Sequence, residues 1–120
     1  MNAIEMVDRS TGDTLLSKVR VADTFSPRLF GLMLRNDIAD DEGLLFPRCS
    51  CIHMFFMSFC IDVIFLDDEK KVMKIVPCLK PWRISGCWGA SFVLEAPANW
   101  AGKNDVREGM QLMLRQSGKS

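Results

Sequence analysis

The stretch Cys49-Ser-Cys-Ile-His-Met-Phe-Phe-Met-Ser-Phe-Cys-Ile-Asp-Val-Ile-Phe-Leu-Asp67 decides how the rest of the chain is read. Its second half, Ile61 to Leu66, is rich in β-branched and aromatic side chains and runs into Asp67-Asp-Glu-Lys70. That pattern predicts a strand followed by a hairpin turn. Its first half, Cys51 to Met57, reads as a second strand and carries the only histidine of the chain. Aspartate is disfavoured in strands, and a buried carboxylate must be paired or protonated. His53 and Asp62 are therefore satisfied core groups or parts of a site.

Working outward, Ala3 to Val7 and Thr14 to Val21 read as two strands around the turn-forming run Asp8 to Asp13. The period then changes. Thr24 or Ser26 can cap a helix, Pro27 suits its first turn, and Leu29, Phe30, Leu32 and Met33 give it an apolar face. Gly31 within it suggests close packing against another backbone. Further strands are expected at Leu44 to Phe46, Val72 to Val76, Phe92 to Glu95 and Met110 to Leu114. Pro77, Pro81, Gly86 and Gly89 break up a long connection that also holds Trp82 and Trp88. The fold class expected is mainly β: a small antiparallel β-sandwich or barrel, jelly-roll-like, with one short helix near residues 25–35. Residues 1–120 are expected to form a single domain.

Composition narrows the function classes. Fifteen basic side chains balance fifteen acidic ones, which gives no electrostatic drive toward nucleic acid or an anionic membrane. Neither partner is expected. Ile52 to Leu66 is too short for a membrane span and is interrupted by His53, Ser58 and Asp62. The N-terminal residues lack the pattern of a signal peptide, so the expected compartment is the cytoplasm, with reduced cysteines.

Three groupings could carry chemistry. If the first strand is extended, Cys49, Cys51, His53 and Met57 share a face, and thiolate, imidazole and thioether suit zinc or copper(I). Same-face neighbours lie roughly 7 Å apart, so Cys51 and His53, with Cys49 as a third, are the weak candidates for a shared ion. Cysteine and methionine also simply fill tight cores. No bound metal or cofactor is therefore expected. Cys51 or Cys49 with His53 could alternatively form a nucleophile–base pair oriented by Asp62, but no nucleophile elbow or oxyanion loop accompanies them. Lys70, Lys71, Lys74, Lys80 and Arg83 beside Trp82 and Trp88 form a basic-aromatic stretch. Asp67, Asp68 and Glu69 adjoin it, so a solvated hairpin is the expected reading.

An ordered set of residues resembles a known family. It comprises Val21-Ala-Asp-Thr24, Arg28, Gly31-Leu-Met33, Arg35, Glu42-Gly43, Leu45-Phe46, Ile52-His53, Met57 and Ile61 to Asp67. Lys80-Pro-Trp-Arg83, Val93-Leu-Glu95, Pro97, Trp100 and Gly109 continue it. Together they resemble domain-of-unknown-function family 192 over nearly the whole chain. The resemblance implies a small β fold similar to a jelly-roll sandwich, with a helix after the second strand, and it implies no activity. The family's recurrent polar positions map onto Arg28, Arg35, Glu42, His53, Asp62 and Glu95. This chain departs from the family at Met54, where threonine is usual, and near Met57, where it has Ser58 and Cys60 and family members often have arginine and proline. It also has Asn99 where glycine commonly follows the Pro-Ala pair.

The expected function is a non-enzymatic domain that binds a small, perhaps anionic, molecule or a protein partner. The candidate ligand-binding residues are Arg28, Arg35, His53, Asp62 and Glu95, with arginine holding an anion bidentately. The alternatives are a metal- or thiol-dependent enzyme centred on Cys51 and His53, and a purely structural polar cluster.

Overall fold

The computed structural model describes residues 4–21, 38–53 and 59–117, with His53 described by its backbone alone. The helix expected near residues 25–35 lies outside them. Ten strands and one short helix are found among the described residues. In chain order the strands are β1 (Ile4–Asp8), β2 (Thr14–Leu16), β3 (Lys18–Val21), β4 (Glu42–Pro47), β5 (Cys51–His53), β6 (Ile61–Leu66), β7 (Val72–Leu79), β8 (Ile84–Gly86), β9 (Phe92–Pro97) and β10 (Leu112–Gln116); α1 (Trp100–Lys103) follows β9.

A five-stranded sheet in the order β3-β4-β9-β6-β7 forms the centre, flanked by a three-stranded sheet β10-β1-β2 and a two-stranded ribbon β5-β8. All the pairings are antiparallel except β3 with β4, which run parallel. The fold is thus mainly β, consistent with a small sandwich or barrel in which one sheet is mixed.

β6 is buried along its whole length, which explains why Ile61 to Leu66 is not a simple alternation. Successive side chains point to opposite faces, and here both faces are covered. On one, Ile64 and Leu66 join Leu45, Leu94, Ala96, Met6, Leu16, Leu112 and Trp100 in a core beneath the three-stranded sheet and α1. On the other, Ile61, Val63 and Phe65 join Leu44, Phe46 and Val93, with Cys49 and Ile52 packed against them. A strand buried on both faces reads as a continuous apolar run.

Several boundaries differ from expectation for identifiable reasons. The segment Thr14 to Val21 is not one strand but two in different sheets, separated at Ser17, whose hydroxyl donates to Asp41 Oδ2 at 3.0 Å. The connection after Pro77 contains β8, whose register pairs Cys51 with Gly86 and His53 with Ile84. α1 was not foreseen. It begins after Asn99, which holds a left-handed φ of 70°. Asparagine tolerates that conformation better than most non-glycine residues, which accounts for its place where the family commonly has glycine. Gly43 marks a close approach: a Cβ there would stand 2.7 Å from Leu16 Cδ1 and 3.2 Å from the Glu95 carbonyl oxygen.

The expectation of fully reduced cysteines is also corrected. Cys60 and Cys78 form a disulfide with Cα atoms 5.0 Å apart, while Cys49, Cys51 and Cys87 are free. The pairing follows from the backbone: Cys78 has a left-handed φ of 49° within an irregular stretch of β7 opposite the start of β6. Unreduced, denatured protein should therefore take up three equivalents of iodoacetamide by mass spectrometry, rising to five after reduction. Closing a loop of 18 residues contributes about 3 kcal/mol by the chain-entropy model, so reduction should lower the unfolding midpoint. Uptake of five equivalents without reductant would refute the bridge.

Candidate functional site

Asp62 and Glu95 sit on adjacent strands but on opposite faces of the central sheet. Asp62 pairs in register with Ala96, and Val63 with Glu95. Directly opposite residues share a face, so Asp62 lies with Ala96 and Trp100, and Glu95 lies with Val63 and Leu44. The sheet separates the two carboxyl groups.

Asp62 is fully buried and its oxygens are occupied by backbone amides. Oδ1 accepts from Cys78 N–H at 2.9 Å and Asn99 N–H at 3.0 Å, and Oδ2 accepts from Ala101 N–H at 2.9 Å. Each of those amides needs an outside acceptor. Between Ile61 and Val63 the partner strand advances from Leu79 to Val76, one residue more than β6 does. That bulge carries Pro77, which has no N–H to give, and releases Cys78 N–H from the ladder. Asn99 and Ala101 open α1, where the first amides have no intrahelical partner. Asn99 itself makes no side-chain cap. Asp62 thus ties the end of β7 to the start of α1, a hydrogen-bond clamp with no carboxylate oxygen left over for a ligand in this geometry.

Glu95 is in the reverse situation. It is 2% exposed, and among the described residues its Oε1 has no hydrogen-bond partner. Burial alone pushes its carboxyl from 4.5 up to about 8, so it is neutral in the folded protein at pH 7. Its described neighbours on this face are Leu44, Val63 and Val93, whose side chains carry no hydrogen-bond donor. Glu42, two residues before Leu44 and hence on the same face, is also buried, and its Oε1 accepts from Ala39 N–H at 3.3 Å.

The edge of this face is formed by the approach to β5. Cys49 is half-buried and its thiol donates to the Cys51 carbonyl at 3.0 Å. Burial pushes the Cys49 thiol up, and negative charge at Cys51 and at Glu95 adds to the effect. Cys49 and Glu95 therefore lie within electrostatic reach of each other. Cys51 is exposed, and its strand begins only there, so Cys49 is not on a straight strand with it. No cluster of three or more histidine, cysteine or acidic side chains able to hold a metal occurs among the described residues.

Of the residues singled out in the sequence, Glu95 lies on the face whose apolar cluster Cys49 packs against, and Asp62 lies across the sheet. Arg28 and Arg35 lie outside the described residues, and His53 contributes only its backbone pairing with Ile84. Glu42 and Glu95 emerged from the family resemblance alone. The signal that could have found Glu95 directly is a lone acid inside the apolar run Phe92-Val-Leu-Glu-Ala-Pro97.

A mixed β-sheet buried on both faces, with buried acids on each, is the frame of a small β domain, and comparison with known proteins places it more narrowly. Residues 6–114 match the model of domain-of-unknown-function family 192, described as uncharacterised, and the chain belongs to that family. It is 45% identical to a UPF0127 protein of Pyrococcus abyssi over 67% of this chain and 71% of that one. A Thermococcus sibiricus UPF0127 protein is 34% identical over 77% of this chain, which spans 62% of that relative's length. Two crystal structures share the fold. One is a protein of unknown function from Novosphingobium aromaticivorans, with a TM-score of 0.74 and 22% identity, covering 92% of this chain and 82% of that one. The other, from Sinorhizobium meliloti, is provisionally described as a transcription regulator. Its TM-score is 0.76 at 25% identity, covering 98% of this chain and 95% of its own. No helix among the described residues is long and apolar enough to cross a membrane.

Proposed function

We propose that this protein is a non-enzymatic binding domain whose site is the Glu95 face of the central sheet, entered at the Cys49 edge. The ligand class is a small, largely apolar molecule bearing a hydrogen-bond donor such as an amine or amide. The observation that carries this reading is the buried Glu95 Oε1, which has no partner among the described residues. An unsatisfied buried acceptor costs roughly 1–3 kcal/mol, and a donor supplied by a ligand would recover that cost. The apolar walls would hold the ligand's hydrocarbon part.

The other readings have less support. An anionic ligand would need a cation such as Arg28 or Arg35 to neutralise it, and the described neighbours of Glu95 on this face, Leu44, Val63 and Val93, supply none. Asp62, offered in sequence as a ligand group, is fully buried and already accepts three backbone amide hydrogen bonds. A thiol enzyme built on Cys49 would need a thiol that ionises easily, whereas burial moves Cys49 the other way. The provisional description of the S. meliloti protein as a transcription regulator is not carried over, because the zero net charge of this chain gives no general drive toward nucleic acid.

Thermal unfolding at pH 7 with hexylamine, hexanamide and hexanoate tests the proposal. The amine or the amide should raise the midpoint of the wild type and leave Glu95→Leu unchanged. Stabilisation by hexanoate alone, or shifts that persist in Glu95→Leu, would overturn it.

A further inference from the structure

The three most exposed large hydrophobic side chains among the described residues occur within one short segment. Trp82 is 59% exposed, Ile84 68% and Trp88 99%. β8 carries Ile84, and a β-turn at each of its ends carries one tryptophan. In the first, Arg83 N–H donates to the Lys80 carbonyl at 3.3 Å, and Trp82 occupies the third position with a φ of 66°. That left-handed position ordinarily takes glycine, and a bulky residue there is unusual. In the second, Ala90 N–H donates to the Cys87 carbonyl at 3.1 Å, with Trp88 leading and Gly89 at a φ of 88°. Both tryptophans therefore stand at turn tips. Ile52, on the paired strand β5, packs inward against the core. Ile84 and Gly86 are exposed at alternate positions of β8, so they form the outward face.

The charge around these tips is one-sided. Between Glu69 and Glu95 the chain has Lys70, Lys71, Lys74, Lys80 and Arg83 and no acidic side chain. Lys80 and Arg83, within the first turn, are exposed. Lys74 reaches across to β8, its Nζ donating to the Gly86 carbonyl at 2.8 Å. The balance of charge over the whole chain conceals this segregation. The neutralisation expected from Asp67, Asp68 and Glu69 falls at the opposite end of β7 from the first turn.

We propose that the face formed by Trp82, Ile84 and Trp88, rimmed by Lys80 and Arg83, docks on the interface of an anionic lipid bilayer. Positive side chains match anionic headgroups, and indole rings favour the headgroup level, where one end is apolar and the other wet. Form as well as charge selects a bilayer over an acidic protein. Trp88, at 99% exposure, has almost no packing to fix its rotamer. A preformed protein pocket would impose one geometry on it at an entropic cost, whereas an interface accepts many. Protruding tips also insert into a soft surface without needing a matching concavity. This surface is independent of the Glu95 site.

Co-sedimentation with vesicles of phosphatidylcholine alone, and with 30% phosphatidylserine, tests the inference, read together with tryptophan emission. Trp100 is buried, with Nε1 donating to the Leu15 carbonyl at 3.0 Å, so changes in emission report Trp82 and Trp88. The wild type should bind the phosphatidylserine vesicles at low salt with a blue shift and release them at high salt. Trp82→Ala/Trp88→Ala should lose binding while its circular dichroism remains that of the folded wild type. Lys80→Gln and Arg83→Gln should each weaken binding by about fivefold. Absence of wild-type binding, or equal binding by the double tryptophan variant, would overturn the proposal. An emission shift with poly-L-glutamate and none with vesicles would overturn it in favour of an acidic protein surface.

Discussion

Glu95→Gln is expected to stabilise the protein at pH 8, with the gain vanishing toward pH 4. The unfolded chain ionises Glu95 at its ordinary 4.5, whereas the folded chain holds the proton to about 8. Between those values unfolding releases a proton, so wild-type stability is fully present below 4.5 and falls as pH rises toward 8. At 1.36 kcal/mol for each pKa unit, the total loss is on the order of 5 kcal/mol. Glutamine keeps the shape and cannot ionise, so it lacks this slope. Other titrating groups act alike in both proteins and cancel in the difference. Urea unfolding of the two proteins from pH 4 to 9 should give stabilities that meet at the acid end and separate steadily up to about pH 8. Curves that run parallel would show that Glu95 is not buried in the neutral form, and would remove the main support for the binding site. A natural protein that keeps an acid at this cost to stability fits a site retained for use rather than for folding.

How much of this was legible in the sequence depended on where each signal resides. Ile61 to Leu66 and its turn were readable because the signal is local: apolar β-formers ending in a cluster of turn formers. Asp67 then satisfies the turn as expected of an aspartate there, its Oδ1 accepting from Glu69 and Lys71 N–H at 2.8 and 2.9 Å. The split of Thr14 to Val21 was not readable, because it depends on Asp41 arriving from 24 positions away to hold Ser17. β8 was hidden for a related reason. Three residues with a glycine carry little strand propensity, and only pairing with β5 makes them a strand. The oddity of Asp62 was visible, but its partners were not. Backbone amides freed by a bulge and by a helix start leave no mark in composition. The two faces of β6 were likewise invisible while both read as apolar, so Asp62 and Glu95 could be grouped in sequence although the sheet lies between them.

Asp62→Ala should be the most damaging single change among the described polar residues, and it should act on one corner of the fold. Removing the carboxylate strands the N–H groups of Cys78, Asn99 and Ala101 together. Each unsatisfied buried donor costs roughly 1–3 kcal/mol, so three of them put the expected loss at about 3–9 kcal/mol, enough to unfold a domain of ordinary stability. Asp62→Asn separates hydrogen bonding from bulk. Its carbonyl oxygen can still accept from Cys78 and Asn99, but its NH2 group then faces the Ala101 N–H, donor against donor. It should lose about half as much, and the loss should concentrate at α1. Hydrogen exchange of Asp62→Asn should accordingly show faster exchange at Ala101 while β1 and β10, which do not touch the clamp, keep their protection. If exchange instead rose first on the Glu95 face, with Ala101 still protected, Asp62 would not be the group that holds α1 to the sheet. The two buried acids would then differ only in which face they occupy, and the division of labour drawn here would fail. If Ala101 is released as expected, the contrast is functional as well as geometric. One carboxylate is spent entirely on the backbone that its strand neighbours leave unpaired, and the other is left with an acceptor that no described neighbour fills.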